Sequence, residues 1–356
     1  MKKLLFIGPN SVKKEEQTMS GPERVFFNIL NILQSQAPTN FMIFNGSQKN
    51  KLFLLWIIFF KKIDVVHLFS FGGSNLLIVF ISWILRKKII YTAHGLVSRE
   101  MQFGSRHGLI HLLAERLILT FAHKIVCVSE GLKQMIIEDY KIHEDKIIVI
   151  PNAVSDKFLL AKAKNNIFRK KLNISTNKKI IFTACGTHQI KGIHLLTEYI
   201  SGLNREDIAF VIAGPKGNFH DQVMKFVNNQ NIFYIGNLNF EDLISAYYHA
   251  DVYIQISLYE TFGLAPLEAM AVGTPIIISE NVQMKYLLKG TELEKFIIGN
   301  NRSKEELINK LNILLDDEEL SRKLIKEGRK IAKQNNWYSV CQQYKNLWSE
   351  LLNVNS

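Results

Sequence analysis

Apolar positions in this chain fall into short runs, and the spacing between the runs sets the first expectation. "KLLFIG", "FMIF", "DVVHLF", "KIIYTA", "KIVCVS" and "KIIVIPN" follow one another up to about residue 152, each separated from the next by a helical stretch. Strands of this length alternating with helices predict parallel βαβ units. A polar, lysine-rich stretch, "SDKFLLAKAKNNIFRKKLNISTN", interrupts the rhythm, which restarts with "KKIIFTAC", "IAFVIAG", "NIFYIG", "ADVYIQIS" and "GTPIIIS". The restart predicts an α/β chain of two Rossmann-like domains, over 1–155 and 156–335, facing each other across a cleft beyond their strand ends. In the remaining segment, 336–356, residues Trp337, Val340, Cys341, Tyr344, Leu347, Trp348 and Leu351 recur at helix spacing. That stripe predicts a C-terminal helix packing back on the N-terminal domain.

Two apolar runs need separate treatment: "LFLLWIIFF" (52–60) between Lys51 and Lys61-Lys62, and "LLIVFISWIL" (76–85) ahead of Arg86-Lys87-Lys88. Each is roughly half the length of a bilayer-spanning helix, so neither is expected to cross a membrane. Both fit buried helices of an α/β layer. The first, aromatic and flanked by lysines, fits equally a helix that leaves part of its surface to a membrane interface.

A chain of 356 residues suits two cores rather than one. With 47% hydrophobic and 21% charged residues it has the balance of a globular protein, which excludes a disordered chain. The formal charge of +12 is lopsided, because residues 1–150 hold 19 Lys+Arg against 11 Asp+Glu. A basic first half suits phosphates or an anionic membrane surface. No nucleic-acid partner is expected, since the chain has no zinc pattern and no basic helix with interleaved aromatics. Cys127, Cys185 and Cys341 have neither metal-ligand nor paired spacing and are expected as buried thiols in a reducing compartment. The opening "MKKLLFIGPN" breaks its apolar stretch at Gly8-Pro9, short of a signal-peptide core, so a cytoplasmic location is expected.

Candidate chemistry concentrates in "SLYETFGLAPLEAMAVGTPIIIS" (257–279), where Glu260 and Glu268 flank a glycine. A helix is predicted to begin near Gly263 or Leu264, with Gly273 and Pro275 as its stop. Leu264, Leu267 and Met270 share one face, which turns Glu268 toward the next strand end or solvent. Glu260 precedes the helix, near its positive end, where the N–H groups of Phe262, Gly263 and Leu264 are placed to hold an anion. Taken singly, Glu260 reads as a dipole partner and Glu268 as a solvated helix residue. Together they offer a phosphate cradle and two hydroxyl acceptors. His94 ends a strand, where a neutral histidine bonded to a neighbouring loop is the plainer alternative to a substrate contact. His67 is a candidate for the acceptor side, and Arg24 and Arg99 are candidates for an acceptor phosphate or else solvated arginines.

The 257–279 string resembles the E-x7-E segment of the retaining nucleotide-sugar glycosyltransferases of glycosyltransferase family 4. Other pieces resemble the family in its own order. "GPERVFFNIL" (21–30) resembles its glycine-containing loop and first helix, which would bring Gly21 near the acceptor and donor phosphates. "YTAHG" (91–95) resembles the strand ending in histidine, so that His94 would face the donor sugar. "AHKIVCVSEGLK" and "VIPNAV" resemble the last N-domain strand and the crossover, and "YYHADVYIQIS" the strand before the motif. "IKGIHLL" (190–196) resembles the lysine-glycine segment, which would put Lys191 on the diphosphate. The resemblance runs from about residue 3 to residue 345. It has departures: Gly186-Thr187 stands where the family usually has Gly-Arg, so that Lys191 carries more of the load, and "ENVQMKY" replaces a glycine pair and glutamate.

The resemblance implies a GT-B fold and a transfer in which a sugar leaves a nucleoside diphosphate with its anomeric configuration kept. Lys191 and the amides at the helix start would stabilise the leaving phosphate, Glu260 would bind donor-sugar hydroxyls, and Glu268 would accept from the ribose. Gly186, Thr187 and Gly21 would complete the donor side. The resemblance implies no side-chain nucleophile, no metal and no other cofactor; the chain also lacks an Asp-x-Asp pair. The expected donor is a UDP-sugar, with GDP-mannose next. The expected acceptor is a lipid-linked glycan of a bacterial surface polysaccharide, with the enzyme peripheral on the inner face of the membrane. The rivals are a sugar-nucleotide epimerase or hydrolase on the same fold, and a catalytically silent nucleotide-binding scaffold. A dehydrogenase is excluded, because "FIGPNSVKKEEQ" lacks a G-x-G-x-x-G turn.

Overall fold

The structure, a computed structural model, describes residues 2–8, 21–35, 41–47, 51–69, 71, 75–104, 107–162, 166–203, 205–228 and 230–352. Two compact units divide the chain: one joins Met1–Asn152 to Trp337–Ser356, and the other is Ala153–Asn336. Up to residue 149 the elements are β1 (Lys2–Gly8), α1 (Gly21–Ser35), β2 (Phe41–Ser47), α2 (Lys51–Phe60), β3 (Val65–Leu68), α3 (Asn75–Ile84), β4 (Lys88–Ala93), α4 (Val97–Glu100), α5 (Leu109–Phe121), β5 (Lys124–Cys127), α6 (Glu130–Tyr140) and β6 (Ile147–Val149). Then come α7 (Asp156–Leu159), α8 (Ile167–Leu172), β7 (Lys179–Thr183), α9 (Ile193–Ser201), β8 (Ile208–Ile212), α10 (His220–Met224), β9 (Ile232–Tyr234), α11 (Phe240–His249), β10 (Val252–Gln255), α12 (Leu264–Val272), β11 (Ile276–Ser279) and β12 (Ile297–Ile298). Three helices close the chain, α13 (Lys304–Asp316), α14 (Glu318–Gln334) and α15 (Trp337–Leu352).

The first unit's sheet is parallel, in the order β2-β1-β3-β4-β5-β6. Its strands are near-continuous apolar runs because helices cover both faces. The chain steps from β1 one way to β2, then the other way to β3 and onward. Right-handed crossovers therefore put α1 on one face and α2, α3, α5 and α6 on the other. α15 packs against α1. Its buried stripe is Trp337, Val340, Cys341, Tyr344, Leu347 and Trp348.

This packing corrects one candidate. His67 lies within β3, has no solvent exposure, and joins the α15 contact instead of an acceptor surface. Trp348 Nε1 donates to His67 Nδ1 at 3.1 Å, and His67 Nε2 lies 2.9 Å from Thr92 Oγ1. Since an indole nitrogen only donates, Nδ1 must accept and the proton sits on Nε2. Burial holds the ring well below its usual pKa, so it stays neutral.

The apolar runs also behave differently from two buried helices. α2 buries Leu54, Ile57 and Ile58 but leaves Phe53, Trp56, Phe59 and Phe60 exposed. α3 buries Ile78 and Val79 and exposes Leu77, Phe80, Trp83 and Ile84, so the second run is not the wholly buried helix its composition suggested. No helix among the described residues is long and apolar enough to cross a membrane. Cys127 and Cys341 are buried, whereas Cys185 is only partly covered.

The second unit's sheet runs β12-β11-β10-β7-β8-β9, all parallel. Its first strand, β7, is central: the chain leaves it toward β8 on one side and later returns to β10 on the other. The point where strand order reverses is therefore between the carboxyl ends of β7 and β10, where loops diverge to opposite faces and leave a crevice for ligands.

Candidate active site

Lys191 and Glu260 meet at that reversal. Lys191 ends a short 3-10 turn after β7, and Gly192 follows with φ +66 as the N-cap of α9. Glu260 lies in the loop after β10. Leu258 N donates to Ile190 O at 2.8 Å and holds the two loops together. Lys191 Nζ then stands 2.5 Å from Glu260 Oε2, with side chains 28% and 18% exposed. The pair is thus reachable from solvent, and each charge occupies the other.

Glu260 is held from behind by residues that the motif did not reveal. Gln255 Nε2 donates to Glu260 Oε2 at 3.2 Å and to Ser257 Oγ at 3.1 Å, and Gln255 Oε1 accepts from Tyr253 Oη at 2.9 Å. All three supporting side chains are buried. Alternation puts positions 253 and 255 of β10 on one face, and Ser257 follows just beyond the strand end. Burial raises the Tyr253 hydroxyl well above the usual phenol pKa, and it remains a donor.

α12 begins at Leu264 after Gly263, whose φ of +107 excludes most side chains. A Cβ there would also sit 2.6 Å from Val282 Cγ1. The first-turn amides of Leu264 and Ala265 have no intrahelical acceptor, and Pro266 has no amide to offer. Met284 N donates to Phe262 O at 2.6 Å and Gln283 N to Glu260 O at 3.2 Å, so the departed "ENVQMKY" segment still fixes this loop through its backbone.

Glu268 is not the solvated helix residue that it reads as when taken singly. α12 is buried from Pro266 to Val272, so the helix has no solvent face there, and Glu268 is 5% exposed. α14 supplies the extra cover: Gly328 lies against Met270, where an added Cβ would approach Cγ to 3.2 Å. Tyr247 Oη donates to Glu268 Oε2 at 3.1 Å. The Tyr247 and Tyr253 rings lie 5.6 Å apart and tilted by 58°, so two packed, buried tyrosines support Glu268 directly and Glu260 through Gln255.

Gly186 and Thr187 hold neighbouring loops through their backbones. Gly186 N donates to Ala213 O and Thr187 N to Pro215 O, which uses both amides. Thr187 is fully buried, and its Oγ1 accepts from Gly217 N at 2.8 Å. Its hydroxyl pins the 214–217 loop, and His220 Nδ1 lies 3.4 Å from the same oxygen. Gly186 has φ +68, and a Cβ there would meet Pro215 O at 2.5 Å, which accounts for the glycine.

The remaining candidates belong to the first unit. His94 follows β4 and is half-buried; burial lowers its pKa to about 4, against the opposing effect of a hydrogen bond that the ring donates to the Phe69 carbonyl, so the ring is neutral at physiological pH. Gly21 opens α1, with Arg24 in its first turn. Arg99 donates through Nε and Nη2 to the two Asp139 carboxylate oxygens at 2.8 and 2.7 Å, a fork-to-fork pair that leaves the side chain partly exposed.

The family model for Glycosyltransferase Family 4 matches residues 21–158, and that for glycosyl transferases group 1 matches residues 164–331. An uncharacterised glycosyltransferase of Methanocaldococcus jannaschii is 30% identical over 245 residues, covering 63% of this chain and 60% of that protein. The matched stretch is therefore less than two thirds of that relative's length. The N,N'-diacetylbacillosaminyl-diphospho-undecaprenol alpha-1,3-N-acetylgalactosaminyltransferase of Campylobacter jejuni is 22% identical over 312 residues, covering 85% of this chain and 81% of that one. Among solved structures, Anabaena HepE in complex with UDP and glucose superposes with a TM-score of 0.75 over 98% of this chain and 100% of that chain, at 17% identity. The two matched segments, the paired parallel sheets and these neighbours agree: the chain has the GT-B fold and belongs to glycosyltransferase family 4.

Proposed function

We propose that this protein transfers a sugar from a UDP-sugar to a lipid-linked glycan with retention of anomeric configuration and without a metal ion. The observation that carries the reading is the Lys191–Glu260 pair at the sheet's reversal point, beside the open amides of α12. Acceptors named for relatives support the lipid-linked glycan, and the UDP complex of a structural neighbour supports the base.

In this reading the donor takes the two charges apart. The diphosphate draws Lys191, and a donor-sugar hydroxyl donates to the Glu260 carboxylate, which has acceptor capacity only. Glu268 accepts from the ribose. The bond from the anomeric carbon to the phosphate oxygen breaks, and negative charge grows on the leaving phosphate. Lys191 and the first-turn amides of α12 stabilise that charge. The acceptor oxygen bonds to the anomeric carbon on the face being vacated, and its proton passes to the departing phosphate. Retention follows from same-face attack. Lys191 and the helix start supply positive charge, which leaves no step that requires a cation.

The test is UDP release from a panel of UDP-sugars with extracted bacterial lipid as acceptor, with and without EDTA, followed by NMR of the product's anomeric proton. The expected result is acceptor-dependent release, insensitive to EDTA, with the donor's configuration kept. Release independent of acceptor would make the protein a hydrolase, and an inverted product would overturn the mechanism.

A further inference from the structure

The helical layer over one face of the first sheet carries an apolar outer surface that continues across three neighbouring helices. α2 packs beside α3, and α3 beside α5, with the Trp83 and Phe121 rings 5.2 Å apart. Outward positions recur at helix spacing, Trp56 and Phe60 on α2, Phe80 and Trp83 on α3, Ile110 and Leu113 on α5. They are not marginal: Phe60 is 71% and Ile110 81% exposed. Taken with their apolar neighbours, these half-exposed side chains make a patch on the order of 1,000 Å², well above the few hundred usual on a soluble monomer.

The three helices and the residues that end them carry exposed charge of one sign, with Glu100 beside His107 as the acidic neighbour ahead of α5. Through 51–62, 75–88 and 107–121 the only acidic residue is Glu115, which is buried and accepts from Val97 N. Lys61 and Lys62 follow α2, Arg86 and Lys88 follow α3, and Arg116 lies on α5, all exposed. Lys61 Nζ sits 5.2 Å from the Trp56 ring centre, with its charge at the apolar margin.

We infer that the joint outer face of α2, α3 and α5 docks on the interface of an anionic bilayer. Tryptophan and phenylalanine over an apolar floor, rimmed by lysine and arginine, match the headgroup boundary of such a membrane. A second copy of the chain fits poorly, because a two-fold contact on this face would set the basic rims against each other. The inference identifies the surface for the membrane association implied by a lipid-linked acceptor, and rests on the proposed function for that connection alone.

The test is co-sedimentation with phosphatidylcholine vesicles, plain or containing about 30 mol% phosphatidylglycerol. Brominated lipid is added to quench tryptophan near the acyl chains. The wild-type protein partitions onto the anionic vesicles, with Trp56 and Trp83 quenched while the buried Trp337 and Trp348 are not. A variant with Phe60→Ser, Phe80→Ser and Ile110→Ser keeps its melting temperature and partitions at least about tenfold more weakly. Replacing Lys61 and Lys62 by glutamine removes the preference for phosphatidylglycerol. The inference is overturned if the wild type stays in solution with both vesicles, or if the triple variant binds them unchanged. It is equally overturned if the triple variant only dissociates a wild-type dimer. Sedimentation needs neither donor nor turnover, so its outcome is separate from that of the transfer assay.

Discussion

Glu260→Gln is expected to lower sugar transfer by at least about a hundredfold while leaving UDP affinity within about threefold. Glutamine keeps the size of the side chain and one acceptor oxygen but gives up the negative charge. The lost interaction is with the sugar, and in this account it strengthens as the ring gains positive character. In this account the nucleotide is held by Lys191, α12 and Glu268, so UDP binding is not lost, and freeing Lys191 from its ion pair acts only in the diphosphate's favour. Gln255→Leu supplies a graded companion. It preserves volume but removes the donor at 3.2 Å that aims Glu260, and it leaves the Tyr253 hydroxyl without its acceptor. Turnover is expected to drop about tenfold with UDP affinity retained, because a misdirected carboxylate costs less than an absent one. Kinetics with a UDP-sugar and calorimetry with UDP measure both quantities. An active Glu260→Gln enzyme would remove the residue from the chemistry.

Lys191→Ala is expected to weaken UDP binding and turnover together, each by about ten- to a hundredfold, the scale of a lost charge-assisted hydrogen bond. Two effects add. The diphosphate loses its cation, and Glu260, 2.5 Å away in the free protein, loses the partner that neutralised it. The bare carboxylate then repels the phosphates. A double variant, Lys191→Ala with Glu260→Gln, therefore recovers part of the UDP affinity, and the deviation from additivity measures the coupling. Unchanged binding in Lys191→Ala would move the diphosphate site elsewhere.

The alternation of apolar runs and helical stretches was a sound guide to the two sheets, since parallel strands covered on both faces are continuous in sequence and need no long-range information. β12 escaped because two residues, Ile297–Ile298, make no pattern. The limits of α12 were legible as Gly263, Gly273 and Pro275, but its burial was not. A helical wheel assumes one covered face, and α14 covers the other. Partners distant in sequence were invisible for the same reason: Asp139 claims Arg99 from 40 residues away, and Trp348 claims His67 from 281 away. The Gln255 relay did leave a trace, since tyrosine, glutamine and serine at alternate positions of "VYIQIS" are polar where a buried strand should be apolar. Thr187 shows the converse. A motif position filled by another residue type has been turned inward to hold a loop.

The most direct measurement is the melting temperature of the purified protein with UDP, GDP and ADP, each with and without EDTA. A ligand at a hundred times its dissociation constant adds about 2.7 kcal/mol to stability, enough for a shift of a few degrees. A rise with UDP that persists in EDTA and is lost in Lys191→Ala is the predicted result. A folded protein whose melting temperature is indifferent to all three nucleotides would contradict a donor site at Lys191 and Glu260.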